Sequence, residues 1–364
     1  MKKCSMPEEI SFRKKLSNYS FPESCIDGFA LGNRVAMRIL ASGSGDLGWD
    51  WGAGLLGDAL GEWDGSKGGR GVRHFLQSWA QRHAKLGTTL VDVGGWHWRV
   101  GAGTTLLRLE KWSPSASRRR WISEIGRHVV DSPRGPNGIW LTKPDRGEVW
   151  IDTLATACPF LARAGSVGFG DDWIELAVEQ LCAHATLLQS ERSGLWMHAW
   201  DVGRGAPMGR LWARGNGWAI HAMVEVLCLV DARRARQLAA LLAKTCEALI
   251  AVQDPCGAWH TVLDQPNTYV ETSGQALLVR GLAKAARLGL IPARMRREVY
   301  AAAQRGWVVV ASHVSDSGEV TGVSLGTPAG TLKEYANRAV ASWPVWGSAS
   351  VLLAAHEIAL ANTR

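Results

Sequence analysis

The chain has little tyrosine or phenylalanine, no Cys-x-x-Cys pair, no two histidines three or four residues apart, and no apolar run long enough to span a bilayer. Each shortage excludes something. Without His pairs on one helix face or paired cysteines, no zinc site is signalled, and nothing in the sequence calls for a metal or a cofactor. The seven cysteines are odd in number, and several fall on apolar helical faces, so they read as reduced, buried thiols suited to the cytoplasm. The segment Met1–Glu9 starts basic but is followed by no apolar stretch, so the chain reads as unexported and without a membrane partner. Runs of β-branched residues are nearly absent. The clearest, Trp307-Val308-Val309-Val310, falls at the end of a helical pattern, which argues for an all-α fold. No Pro/Gly-rich linker breaks the chain. Residues 1–30 therefore read as an arm or first helix (Pro7–Leu16), and residues 31–364 as one domain.

What is abundant is tryptophan, with 19 residues against four Tyr and six Phe. Indoles pack cores, and they also stack on the apolar faces of sugars. The formal charge of +8 favours an anionic partner. The densest basic runs, Arg118–Arg120, Arg233–Arg236 and Arg294–Arg297, lie in helical patterns without interleaved aromatics, so nucleic acid is excluded and an acidic sugar is preferred.

Helical periodicity covers Leu55–Leu60, Val72–Leu86, Gly101–Trp112, Trp173–Gln189, Trp218–Val230, Ala232–Gln253, Ser273–Leu288, Arg294–His313 and Ser348–Ala361. Residues 131–148 read as a long loop. Between helices the turns Gly138-Ile139-Trp140, Gly194-Leu195-Trp196 and Gly257-Ala258-Trp259 recur about every sixty residues, and Gly318-Glu319-Val320 continues the series without its Trp. A helical hairpin repeated about six times closes naturally as an (α/α)6 barrel, with the Trp-bearing turns expected at the rim of a central cavity.

The stretch Trp150–Phe160 places Asp152 at the start of an apolar run, where it is either a helix N-cap or a working acid. Trp150 beside it would raise its pKa, whereas a helix N-terminus would lower it. In Leu211–Trp218, Gly215 and Gly217 permit close approach around Arg214, and a helix starting near Asn216 favours an anion. Arg214 would then grip a carboxylate while Trp212 and Trp218 stack on a ring; alternatively, Asn216 is a cap and Arg214 pairs with an acid such as Asp201. Thr268 and Glu271 stand at capping-box spacing, so Glu271 is first a structural residue. His198 is either a substrate contact or a satisfied core group. Lys143 and Arg134 precede Asp152 in the loop, and Trp51 stands before a helix as a further stacking surface.

The segments Pro133–Trp140, Val149–Leu161, Gly194–His198, Trp212-Ala213-Arg214-Gly215-Asn216-Gly217-Trp218 and Glu271–Ser273, in this order, resemble glycoside hydrolase family 105, the unsaturated rhamnogalacturonyl hydrolases. They resemble more distantly the unsaturated glucuronyl hydrolases of family 88. The resemblance implies an (α/α)6 barrel that removes a 4,5-unsaturated uronic acid from the non-reducing end of lyase-generated oligosaccharides. It further implies that the acid matching Asp152 protonates C4 while water adds at C5. Arg214, Lys143 and His198 would then suit the substrate's carboxylate or hydroxyls, Trp150 would wall Asp152, and Trp51, Trp212 and Trp218 would be stacking surfaces; of these, Trp212, Arg214 and Trp218 lie in the best-matched string. Family members commonly carry a second acid before a small-residue helix start; the stretch Trp98–Gly103 has none, leaving Asp92 or no residue in that place. Alternative readings are an unsaturated glucuronyl hydrolase acting on another acidic glycan and a non-catalytic sugar-binding barrel.

Overall fold

The computed structural model describes residues 26–64, 70–85, 99–342 and 344–361. The expected arm and helix at Pro7–Leu16 and the candidate acid Asp92 lie outside them.

Six helices have more than half of their residues buried, so neighbours must cover them on several sides. They are α2 (Trp51–Trp63), α4 (Ala102–Trp112), α6 (Asp152–Ser166), α8 (Ala213–Leu227), α10 (Thr272–Arg287) and α13 (Val345–Ala361). Every residue of α8 is buried, as are nearly all of α2 and α10. The six pack side by side in chain order, α2 on α4, then α6, α8, α10 and α13, and α13 returns to α2, closing a ring. Helices with one apolar face lie outside it. These are α1 (Gly28–Ser42) on α13, α3 (Arg70–Lys85) on α4, α5 (Ala116–Val130) on α4 and α6, α7 (Trp173–Leu188) on α6, α9 (Ala232–Ala251) on α8, and α11 (Ala293–Ser312) on α10. This is the (α/α)6 barrel expected from the repeat. The ring is tight where side chains are missing: a Cβ on Gly54 of α2 would lie 2.1 Å from the Gly101 carbonyl oxygen just before α4.

The repeating turns have one construction. Gly138, Gly194, Gly257 and Gly318 all have positive φ, between 73° and 89°, which a side chain would disfavour. At the first three, the following Trp donates its backbone N–H to a side-chain amide from a barrel helix: Trp140 to Gln180, Trp196 to Asn216 and Trp259 to Gln275, at 2.8–3.0 Å. Trp140, Trp196 and Trp259 are wholly buried, so these turns staple the helical layers and do not form the cavity rim.

Two further departures from expectation concern strands and loops. Residues 131–148 contain two short 3-10 turns and lead into β1 (Glu148–Trp150), which pairs antiparallel with β2 (Ala199–Asp201), itself paired with β3 (Ala206–Met208). A second small pair joins β4 (Val323–Ser324) to β5 (Val340–Ala341), with the short α12 (Leu332–Ala336) between them. Such two- and three-residue strands leave no periodic trace in a sequence.

The barrel axis below the cavity is ionic. All six inner helices contribute: Asp58 and Glu62 from α2, Arg108 from α4, Arg163 from α6, Glu225 from α8, Arg280 and Lys284 from α10, and Glu357 from α13. Glu225 accepts from Arg280 at 2.7 Å, Lys284 at 2.5 Å and Arg163. Burial alone would raise its pKa, but these three cations outweigh it and hold the carboxyl well below the usual range. Charges removed from water this completely persist only when paired and hydrogen-bonded.

Candidate active site

The N-terminal ends of inner helices surround a cavity of about 590 Å³, lined by Trp51, Thr104, Asp152, Arg214, Trp218 and Trp346 among others. Each helix start leaves unpaired backbone N–H groups and the positive end of a dipole, so this end of the barrel suits an anionic ligand.

Asp152 is the first residue of α6, one position beyond the N-cap, which is Ile151. The cap reading therefore does not hold, and the carboxyl lines the cavity. The β1–β2 pairing brings His198 beside it: Trp150 pairs with Ala199, and Ile151 N–H donates to the His198 carbonyl at 3.0 Å. His198 Nε2 lies 3.3 Å from Asp152 Oδ2. Its Nδ1 is bonded to the hydroxyl of Tyr335, on α12. With the Tyr335 hydroxyl donating to Nδ1, the imidazole proton sits on Nε2, the nitrogen that faces Asp152. Burial raises the Tyr335 pKa and keeps the phenol protonated for this role. His198 is wholly buried, stacked on Trp212 at 4.3 Å between centroids and edge-on to Trp150 at 5.1 Å. Its ring thus orients Asp152 from behind and does not line the cavity.

Lys143, Trp150, Trp212 and Arg214 do line it, but their functional atoms are partly committed to the protein. The Lys143 ammonium sits 3.9 Å over the Trp150 ring and 3.5 Å from Glu148, which also accepts from Trp150 Nε1 at 2.8 Å. Arg214 donates from Nη1 to Ser273 Oγ and to the Ser324 hydroxyl and carbonyl, and from Nη2 to the Leu325 carbonyl and Thr327 Oγ1, at 2.7–3.2 Å. Its acid is Glu271, at 3.4 Å, not Asp201. Glu271 is itself the N-cap of α10, accepting from Ser273 and Gly274 N–H, with no capping box to Thr268. Helix α8 begins at Ala213, not near Asn216, whose amide instead bonds the Trp196 and Trp212 carbonyls at 2.9 Å. Trp212 is covered by His198 and by Arg214, whose guanidinium lies 4.6 Å from the ring. The available aromatic surface is Trp51 with Trp346 at 5.0 Å and Trp218 at 5.7 Å. Arg134 bonds the Gly138 and Val130 carbonyls on the outside.

Sequence reasoning missed Asp50, Asp58, His221, Arg338 and Trp346, all of which line the cavity. Asp50 caps α2 through Ala53 N–H at 2.9 Å, and Asp58 is held by Arg108 at 2.8 Å and Arg163 at 2.5 Å, so both are committed acceptors. His221 Nδ1 accepts from Arg280 at 3.0 Å, which fixes its proton on Nε2. Burial, with Arg280 beside it, lowers its pKa to about 3, so the ring is neutral. Only the helical spacing of Arg214, Trp218 and His221 on one face of α8 could have signalled it.

Comparison with known proteins agrees with this arrangement. Residues 35–361 match the glycosyl hydrolase family 88 profile. The chain is 28% identical over 292 residues to the unsaturated rhamnogalacturonyl hydrolase YesR of Bacillus subtilis, covering 78% of this chain and 81% of that one. Its fold matches that of a possible member of the GH105 family from Salmonella enterica, with a TM-score of 0.83 at 24% identity, covering 94% of this chain and 97% of that one. It also matches the unsaturated glucuronyl hydrolase of Bacillus sp. GL1, with a TM-score of 0.66 at 16% identity over 90% and 94% of the two chains. The chain is a glycoside hydrolase and belongs to glycosyl hydrolase family 88.

Proposed function

We propose that this hydrolase removes a 4,5-unsaturated uronic acid from the non-reducing end of oligosaccharides of the rhamnogalacturonan type, with Asp152 as its acid. The observation that carries the reading is Asp152 in the cavity wall, with its carboxyl 3.3 Å from His198 Nε2 of the buried His198–Tyr335 pair. In this reaction the protonated carboxyl of Asp152 gives its proton to C4. Water adds its oxygen to C5 and returns a proton to Asp152, and the resulting hemiketal opens and expels the leaving sugar. One carboxyl suffices, because the double bond, not the anomeric carbon, is attacked; a conventional glycosidase needs two flanking carboxylates. The Trp51–Trp346–Trp218 cluster offers apolar faces to the sugar ring, and Lys143 adds positive charge near the cavity. The likeness to an unsaturated rhamnogalacturonyl hydrolase over most of both chains supports the pectin-type substrate over a glucuronyl one. Five cysteines among the described residues are free thiols, and no helix among those residues is long and apolar enough to cross a membrane, which supports a place in the reducing cytoplasm.

The test is a panel of unsaturated disaccharides, rhamnogalacturonan-derived and glucuronyl, ranked by kcat/KM from loss of the ene-carboxylate absorbance. The rhamnogalacturonan disaccharide is expected to rank first. A glucuronyl preference would reassign the substrate, and binding without turnover of any member would leave a sugar-binding barrel.

A further inference from the structure

Three cations line the cavity: Lys143, Arg214 and Arg338. The first two are occupied. Lys143 faces Glu148 and the Trp150 ring, and both terminal nitrogens of Arg214 are spent on Ser273, Ser324, Leu325, Thr327 and Glu271. Arg338 differs. Its side chain makes no ion pair and no hydrogen bond among the described residues, and its Nε is buried without an acceptor. A guanidinium N–H withdrawn from water and left unpaired costs free energy that a bound anion would recover. The segment that carries it is fixed at several points. Arg338 N–H donates to the Tyr335 carbonyl at 3.2 Å, and Leu325 N–H to the Ala339 carbonyl at 3.0 Å. The same excursion between β4 and β5 supplies Tyr335 to His198 and Thr327 to Arg214.

We infer that Arg338 is the group that clamps the substrate's carboxylate, and that Arg214 is a positioning residue that fixes the Ser324–Thr327 loop beside it. The inference rests on the uronyl-hydrolase reading for the identity of the substrate, and the unpaired guanidinium in the cavity wall by itself calls for a ligand that carries an oxyanion. Two parallel N–H groups match two carboxylate oxygens, and a lysine ammonium cannot reproduce that fork. Placed at Arg338, the carboxylate lies in the same cavity as Asp152, Trp51 and Trp346.

The experiment compares wild type, Arg338→Gln and Arg338→Lys in two assays. The first is calorimetric binding of galacturonate, its methyl ester and galactose, none of which can be hydrated. The second is turnover of an unsaturated disaccharide and of its methyl ester. Arg338→Gln is expected to weaken galacturonate binding and raise KM for the acid substrate by about 10- to 100-fold, the range for losing a charge-assisted hydrogen-bonded contact. Binding and turnover of the methyl esters should fall much less, because the uncharged ester carbonyl accepts only an ordinary hydrogen bond, kcat should move little, and Arg338→Lys should fall between. Equal losses for acid and ester, or no loss for the acid with an unchanged denaturant midpoint, would overturn the assignment. Absence of turnover by the wild type would overturn the hydrolase reading alone, because galacturonate binding still reports on Arg338.

Discussion

Replacing Glu225 with glutamine removes one negative charge from the ionic axis of the barrel while keeping the side chain's size. Glu225 is 4% exposed and accepts from Arg280, Lys284 and Arg163, each on a different pairing within the network. Breaking one buried ion pair by removing a partner costs about 3–5 kcal/mol, because the other charge is left uncompensated. Here the loss is shared. Glu62 remains 3.0 Å from Arg280 and 3.7 Å from Arg163, and Asp58 still accepts from Arg163 at 2.5 Å. Lys284 fares worst, keeping only Glu62 and Glu357, each at 4.0 Å. The expected cost is therefore near the lower bound, about 3 kcal/mol, a large part of a typical domain's net stability. Denaturant unfolding at pH 7 measures it as a lower midpoint with an unchanged slope. Adding Lys284→Met should recover part of the loss by removing the stranded cation, so the double variant should be more stable than Glu225→Gln alone. A loss below about 1 kcal/mol, or a double variant less stable than the single one by the full additive amount, would refute the idea that charge balance holds the axis. The pH dependence has a definite sign. The Glu225 carboxyl is held well below its unfolded value, so its contribution is full above the unfolded pKa and is lost only as pH falls through the folded one, in strong acid.

Acid sensitivity should begin earlier, at the buried histidines. Burial lowers the His184 pKa to about 4, and burial with Arg280 lowers that of His221 to about 3, from 6.5. Below about pH 6.5 the unfolded chain binds protons that the folded chain refuses, so stability falls from there toward pH 4; His184→Gln should flatten that slope by roughly 3 kcal/mol across the window, read from midpoints at pH 7 and pH 4. Tyr335→Phe removes the donor to His198 Nδ1 and frees the imidazole to change tautomer, so kcat should fall about 10- to 100-fold with KM nearly unchanged, checked by steady-state kinetics on an unsaturated disaccharide.

The barrel was legible because its period was. Apolar spacing marked the helices, and the positive-φ glycines of the repeating turns marked the hairpins, even at Gly318, which has no Trp after it. Asp152 stood out for its aromatic neighbours and does line the cavity beside His198. The roles of Trp140, Trp196 and Trp259 were not legible, since an indole reads alike whether it staples a turn or faces a sugar. Arg214 and Arg338 illustrate the same limit. The striped string around Arg214 drew attention to a guanidinium that the protein itself saturates, whereas Arg338, in a plain polar stretch, reaches the cavity unpaired. The ionic axis was equally hidden, because its charges come one or two at a time from six helices spread over some 300 residues between Asp58 and Glu357.

The most direct test of the account follows two signals in one reaction: loss of the ene-carboxylate absorbance and release of the leaving sugar, with wild type and Asp152→Asn. Both signals should rise together in the wild type, because hydration of the double bond is what expels the sugar. Both should vanish in Asp152→Asn while the variant still binds galacturonate. Sugar release with the absorbance retained would place attack at the anomeric carbon, and unchanged turnover by Asp152→Asn would remove Asp152 from the chemistry; either result would contradict the account.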